Sequence, residues 1–359
     1  MPKIFGQNLT RKEISTHIGA EWQAGGVRRM QFVDGPEDGT DLVQFDSASG
    51  LTFNVLPSRG LDISSAKFCG ASLCFETPAG EAHPAHFDPQ GFGWVKTFFG
   101  GLLTTCGMTW AGAPCEDQGE SLGLHGRYSH LAARNLKVGD DWQGNKRRLW
   151  VSGEVRETAI FGPNVVMRRT ISTEVGSNTI SIEDTVRNEG FSKTPLMLVY
   201  HINIGFPVLS EHSELLTNSA SVTPRDAEAE KGFERYNRFE KPVPGYSEQL
   251  FYHDLKTDRK GFCHAAIVNP KFNNNQGLGV LVSYRKKELP RFAQWKMVGA
   301  GDYVCGLEPM NCRVQGRDFD RKEKTLLFLK PGEEKTQLID ITVLPDKKAI
   351  SDIRQSIFG

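Results

Sequence analysis

The feature that most constrains this chain is a period of two. Apolar and polar residues alternate along a series of short segments, each ended by Gly, Pro, Asn or Asp. The run Thr179, Ile180, Ser181, Ile182, Glu183, Asp184, Thr185, Val186 shows it plainly. Successive side chains of a strand point to opposite faces, so such alternation marks a strand with one face in a core and one in water. Strand signals lie at 42–47, 51–57, 146–157, 164–175, 179–190, 264–270, 278–285, 325–333 and 337–345, and several of these alternate in this way. PLMLVYHINIGF (195–206) is apolar almost throughout, as expected of a strand covered on both faces. Helical patterns are few: NLTRKEI (8–14), with Asn8 or Thr10 as its cap, and LPDKKAISDIRQSIF near the end, with Pro345 near its start. Strands dominate without βαβ alternation, which predicts an all-β, large antiparallel sandwich with few short helices.

No composition shift, repeat or low-complexity tract divides the 359 residues, so one domain over 1–359 is expected, with residues 1–40 as a peripheral extension. Residues 211–250 read as a long loop excursion, of the kind that carries function or covers a site. Lys plus Arg and Asp plus Glu both number 43, which argues against broad electrostatic binding to nucleic acid or an anionic membrane. The seven cysteines (Cys69, Cys74, Cys106, Cys115, Cys263, Cys305, Cys312) are odd in number and lack CxxC spacing, so neither a disulfide framework nor a zinc pattern is evident. His83 and His86 lie near Asp88, but Pro84 disfavours a helical ligand pair, and no metal is expected. MPKIFGQNLTRKEI has no apolar core of a signal peptide and no stretch is long enough to span a bilayer; the expected location is the cytoplasm.

Three segments hold candidate chemistry. In GLHGRYSH (123–130), His125 and Arg127 would share a face if the segment is a strand, and could together hydrogen-bond hydroxyls or an anion. Taken alone, they read as a core histidine and a surface arginine. In VYHINIGFP (199–207), His201 and Asn203 lie on one face of an apolar strand; they either satisfy each other's neighbourhood in the core or line a cavity. In FAQWKMVGAGDYVCGLEPMNC (292–312), Glu308 follows an apolar run, where burial would raise its pKa and make it a better base. Trp295 offers a face for a sugar ring, and Lys296, Asp302 and Asn311 flank it.

The ordered set of LHGR, VYHINIGFP, CGLEP and the closing LKPGEEKTQLIDITVL resembles the aldose 1-epimerase (galactose mutarotase-like) superfamily across residues 40–345. LPSRGLDI (56–63), LLTTCGM (102–108) and WKMVGAGDYVCGLEP (295–309) are similar to an uncharacterised bacterial branch of unknown function and depart from true galactose mutarotases. The resemblance implies a β-supersandwich and no cofactor. It implies Glu308 as catalytic base, His201 as catalytic acid and His125 as a substrate-binding group. Arg59, with Asp62 orienting it, would contact the ligand. Four cations near these motifs, Arg59, Arg127, Lys296 and Arg313, suggest an acidic or phosphorylated sugar as one substrate class. The alternatives are a non-catalytic carbohydrate-binding or sugar-sensing protein, and, behind it, a lyase or glycosidase, which would need a second carboxylate. A small-molecule sugar is the expected partner, with the chain a monomer or homodimer.

Overall fold

The computed structural model describes residues 3, 4 and 6–358. Its strands assemble into three large antiparallel sheets and two small two-stranded ones. The first large sheet has eight strands, in the order Arg134–Gln143, Lys146–Thr158, Asn164–Glu174, Thr179–Asn188, Glu334–Leu344, Leu278–Arg285, Phe262–Asn269 and Glu214–Thr217. The second runs Ser219–Pro224, Gln249–Leu255, Arg291–Val298, Tyr303–Met310, Thr194–Gly205 and Leu327–Leu329, with Thr104–Met108 also paired to Thr194–Gly205. The third is a meander of Gly26–Gln31, Asp41–Asp46, Leu51–Leu56, Asp62–Phe68 and Ala71–Ser72.

The alternation read from the sequence is the burial pattern observed. Along Thr179–Asn188 the even-numbered residues are buried and the odd-numbered ones face outward. The inward residues Ile180, Ile182 and Val186 join a core that also takes Leu198, Tyr200 and Ile202 from the second sheet and Phe45, Phe53 and Val55 from the third. Thr194–Gly205 is buried at all but one position, because sheet strands flank it on both edges and packed layers cover both faces. Strands missed by periodicity include Tyr303–Met310, which is buried throughout and so has no polar face to alternate with.

The two helical patterns fall close to where they were expected. Arg11–His17 starts from Thr10, whose hydroxyl accepts from the Glu13 amide while the Glu13 carboxylate accepts from the Thr10 amide, a reciprocal cap. Lys347–Ser356 starts from Asp346, whose carboxylate accepts from the Ala349 amide. Residues 211–250 are not a structureless loop. They hold Glu214–Thr217, Ser219–Pro224 and the short helix Ala227–Lys231, so part of the excursion extends two sheets.

One buried ionic network ties the third sheet to the first two. Arg169 on Asn164–Glu174 donates to Asp184 and to Asp62, with none of the three side chains more than 1% exposed. Tyr200 donates to Asp184, and Thr105 donates to Asp62. Tyr200 precedes His201 in the chain, so this network lies directly behind the strand that carries it.

Candidate active site

His201 and Glu308 meet because of strand register. Thr194–Gly205 pairs antiparallel with Tyr303–Met310 through Val199–Met310 and Ile202–Leu307, which sets His201 directly opposite Glu308. Directly opposed residues project from the same face of a sheet. Their side chains approach to 3.3 Å between His201 Nε2 and Glu308 Oε1. On the next strand, Ala293 lies opposite Glu308 and Trp295 opposite Gly306, so Trp295 projects from that face too. Gly306 keeps the space open. A Cβ there would sit 2.9 Å from Glu308 Oε1, 3.1 Å from Trp295 Cβ and 3.3 Å from His201 Cε1.

His125 arrives from outside this sheet. It stands at φ +59° in a loop whose backbone is clamped: its amide donates to the Gly112 carbonyl, and its carbonyl accepts from the Gly107 amide. Gly126 beside it has no room for a side chain, since a Cβ would lie 2.4 Å from the Gly107 carbonyl oxygen. The clamp aims the imidazole at His201, with the ring centroids 6.0 Å apart and nearly perpendicular. Aromatic rings enclose the group. Trp295 and Phe98 stand edge-on to His201 at 5.2 and 5.8 Å, and Trp94 lies 4.9 Å from His125. The cavity has a volume of about 590 Å³, within the ~300–1,000 Å³ common for small-molecule sites.

Burial sets the protonation of these groups. It lowers His201 to about 4, against weaker opposing effects from Asn203 and Glu248, and it lowers His125 to about 3, helped by His201. It raises Glu308 to about 8, reinforced by Glu248 and opposed by Arg225. At neutral pH the pair is therefore an imidazole and a carboxylic acid, not the ion pair that Glu308 and His201 would form in water. Two polar atoms lining the cavity find no protein hydrogen-bond partner: His125 Nδ1 and Glu308 Oε1. Buried polar atoms in folded proteins are nearly always satisfied, so these two, facing one cavity, suit a ligand's hydrogen bonds.

Several residues singled out in the sequence lie elsewhere. Arg59 is fully buried and donates to the carbonyls of Ser129, Ala82 and Thr97, bracing three loops instead of meeting a ligand. Asp62 pairs with Arg169 and does not orient Arg59. Arg127 donates to the Thr158 carbonyl; His125 and Arg127 share no strand, because the backbone turns through positive φ at His125 and Gly126. Lys296 alternates to the opposite face from Trp295, where it is held by the Arg235 and Arg238 carbonyls and by Glu240. Asp302 is exposed in the turn before Tyr303–Met310. Asn311 is buried and ties down the Leu196 carbonyl and the Leu198 amide. Asn203 sits under the site, its amide bound to the Gly100 and His201 carbonyls. His83 caps the turn Pro84–His86, and Asp88 pairs with Lys96. Among the described residues no cluster of three His, Cys, Asp or Glu could hold a metal ion.

The structure adds residues that sequence reasoning missed. Arg225 and Glu248 come from the 211–250 excursion and line the cavity. Glu248 accepts from Arg225 at 3.0 Å and from the Trp295 indole at 2.7 Å, so it fixes the plane of the aromatic wall. It is a second carboxylate in the cavity, but each of its oxygens already accepts a hydrogen bond. Their one sequence signal was the length of the segment that carries them.

A face of three sheet strands presenting His201, Glu308 and Trp295 to a clamped His125, on a three-sheet antiparallel scaffold, defines a galactose mutarotase-like sandwich. The chain belongs to a family so far described as a domain of unknown function, DUF4432, whose model matches residues 37–343. The same fold is seen in a Klebsiella pneumoniae protein provisionally described as an aldose 1-epimerase, with TM-score 0.86, 23% identity, and coverage of 92% of this chain and 86% of that one. A galactose mutarotase-like protein from Clostridium acetobutylicum matches with TM-score 0.59 and 15% identity over 88% of this chain and 98% of its own. A galactose 1-epimerase from Lactobacillus acidophilus matches with TM-score 0.58 and 12% identity over 89% and 98%. No curated protein sequence matches the chain. Among the described residues, no helix is long and apolar enough to cross a membrane.

Proposed function

We propose that this protein is a carbohydrate-active isomerase that interconverts the anomers of a reducing sugar. The observation that carries the reading is the Glu308–His201 pair, 3.3 Å apart and facing an aromatic cavity. Sugar rings present apolar C–H faces and a rim of hydroxyls. Trp295, Trp94 and Phe98 suit the faces. His125, His201 and Glu308 suit the rim.

Anomer exchange needs a base at the C1 hydroxyl and an acid at the ring oxygen. Glu308 as carboxylate takes the hydroxyl proton while protonated His201 gives one to the ring oxygen. The bond from C1 to the ring oxygen breaks, leaving an open-chain aldehyde, with Glu308 now a carboxylic acid and His201 a neutral imidazole. Rotation about C1–C2 and the reverse transfers close the other anomer. The pair carries one proton throughout, so nothing else is consumed. The pairing that burial favours, acid and imidazole, is the one that accompanies the open chain. Neutral His125 donates or accepts at a hydroxyl without introducing a charge.

The four cations expected near the motifs do not line this cavity. Arg225 does, and it is already engaged by Asp226 and Glu248. The ring held against His201 and Glu308 is accordingly a neutral one. A second reading, a sugar sensor, draws on the same neutral pair, which can hydrogen-bond hydroxyls without transferring a proton. Saturation-transfer NMR on a panel of free reducing sugars separates the two. Accelerated exchange that disappears in Glu308→Gln supports the isomerase. Tight binding with no acceleration supports the sensor and ends the catalytic reading.

A further inference from the structure

The sugar cavity continues along the same sheet face into a second lobe of different character. On Arg291–Val298, Arg291 lies two pleats from Trp295 and projects from the same face, a separation of roughly 13 Å at ~3.3 Å per residue. On Gln249–Leu255, Leu250 pairs with Trp295 and Tyr252 with Ala293, so these two also alternate onto that face. Leu250 and Trp295 line the sugar cavity; Tyr252 and Arg291 line the second lobe, of about 400 Å³. Arg225 and Gln315 line both. Tyr252 donates to Gln315 at 3.2 Å, which forms the partial wall between them.

The second lobe is cationic where the first is aromatic. Arg313 lies over the rings of Tyr252 and Phe319, 5.9 and 5.6 Å from their centroids. Among the described residues, neither Arg291 nor Arg313 has a carboxylate partner. The one carboxylate lining the lobe, Asp254, is taken by Lys286 at 2.6 Å. Ser221 and Thr223 add hydroxyls. Two partly buried guanidiniums without counter-ions, on one face with a sugar-sized aromatic cavity, are an anion receptor joined to a ring receptor.

We propose that the substrate is longer than one ring: a reducing saccharide whose second unit carries an anionic group, carboxylate, sulfate or phosphate, bound by Arg291 and Arg313. The proposal rests on the sugar-binding reading of the first cavity. It places the reducing ring at His201 and Glu308, and it assigns the charge recognition to the neighbouring unit. Lactose, 6′-sulfolactose, lactose 6′-phosphate and cellobiouronic acid paired with cellobiose make the probe set, with affinity measured by calorimetry. At least one anionic disaccharide should bind about tenfold or more tightly than its neutral parent, a ratio that falls as salt rises. In Arg291→Gln/Arg313→Gln that ratio should drop to within about twofold of one. Arg291→Lys/Arg313→Lys, which keeps the charge, should restore part of it. Equal affinities for every neutral and anionic pair in the wild type overturn the proposal. So does a preference that persists in the glutamine variant, or no binding of any member. Anomer exchange followed in the same samples reports separately on catalysis. Exchange of monosaccharides without an anionic preference sinks only the second subsite. An anionic preference without exchange leaves the subsite standing and sinks the isomerase.

Discussion

Glu308 is the residue at which the site's chemistry and its cost are both concentrated. Its folded pKa lies at about 8 against an ordinary 4.5. A carboxyl raised in this way contributes stability below its unfolded value, and the contribution is lost as pH rises through the folded value. Glu308→Gln, which keeps the shape and cannot ionise, should therefore melt several degrees above the wild type at pH 9, with a much smaller difference at pH 5; thermal melts at the two values check it. The same variant should lose about 10²-fold or more in anomer exchange. The pair as a unit predicts the pH profile. Below about 4 it holds two protons and lacks a base; above about 8 it holds none and lacks an acid. The rate constant kcat/KM should form a plateau between those limits and fall on both sides. A plateau bounded near 6.5 would mean that His201 titrates as if in water. Gly306 makes a geometric prediction. In Gly306→Ala the new methyl group enters the space between Glu308, Trp295 and His201, so sugar binding should fall at least about tenfold while the melting temperature moves little.

At the scale of elements, the loops that face the sheet are held by buried polar groups acting on backbone. Arg59 satisfies the carbonyls of Ala82, Thr97 and Ser129, and the Ser129 hydroxyl accepts from the Trp94 indole. Desolvation lowers even this guanidinium to about 10. Arg59→Ala leaves three buried carbonyls without that donor, so it should cost roughly 2–4 kcal/mol of stability, read from denaturant unfolding. Here the sequence was partly legible. Each of the ten segments with strand signals in the sequence holds a strand, 325–333 only Leu327–Leu329, because an apolar pattern depends on one strand and the core it faces. Arg59 was not, because PSRG is equally a surface turn. Only the packing of residues 82, 97 and 129 around it decides that it is buried. Lys296 differs. Its neighbour Trp295 faces the cavity, so the pleat sends Lys296 to the other side.

For the whole molecule, the Arg169 network joins the three large sheets through Asp62, Asp184, Tyr200 and Thr105. Arg169→Met would leave two carboxylates buried with no cation. A loss of roughly 3–5 kcal/mol is expected, measurable by chemical denaturation. Because Tyr200 adjoins His201, the loss should be accompanied by weaker sugar binding. An unchanged affinity in the folded variant would show that the network holds the sheets together without positioning the site.

What the sequence determined by itself was whatever depends on local order: ten of the strands, the two capped helices, and the three motifs holding His125, His201 and Glu308. Alternation, caps and a histidine within an apolar run are written in consecutive residues. What only the tertiary structure decided was company. Register set His201 against Glu308, a backbone clamp brought His125 to them, and a sheet extension carried Arg225 and Glu248, far from His125 in the chain, into the cavity. The protonation of the pair was decided there as well, since desolvation depends on what surrounds a group and not on its neighbours in the chain.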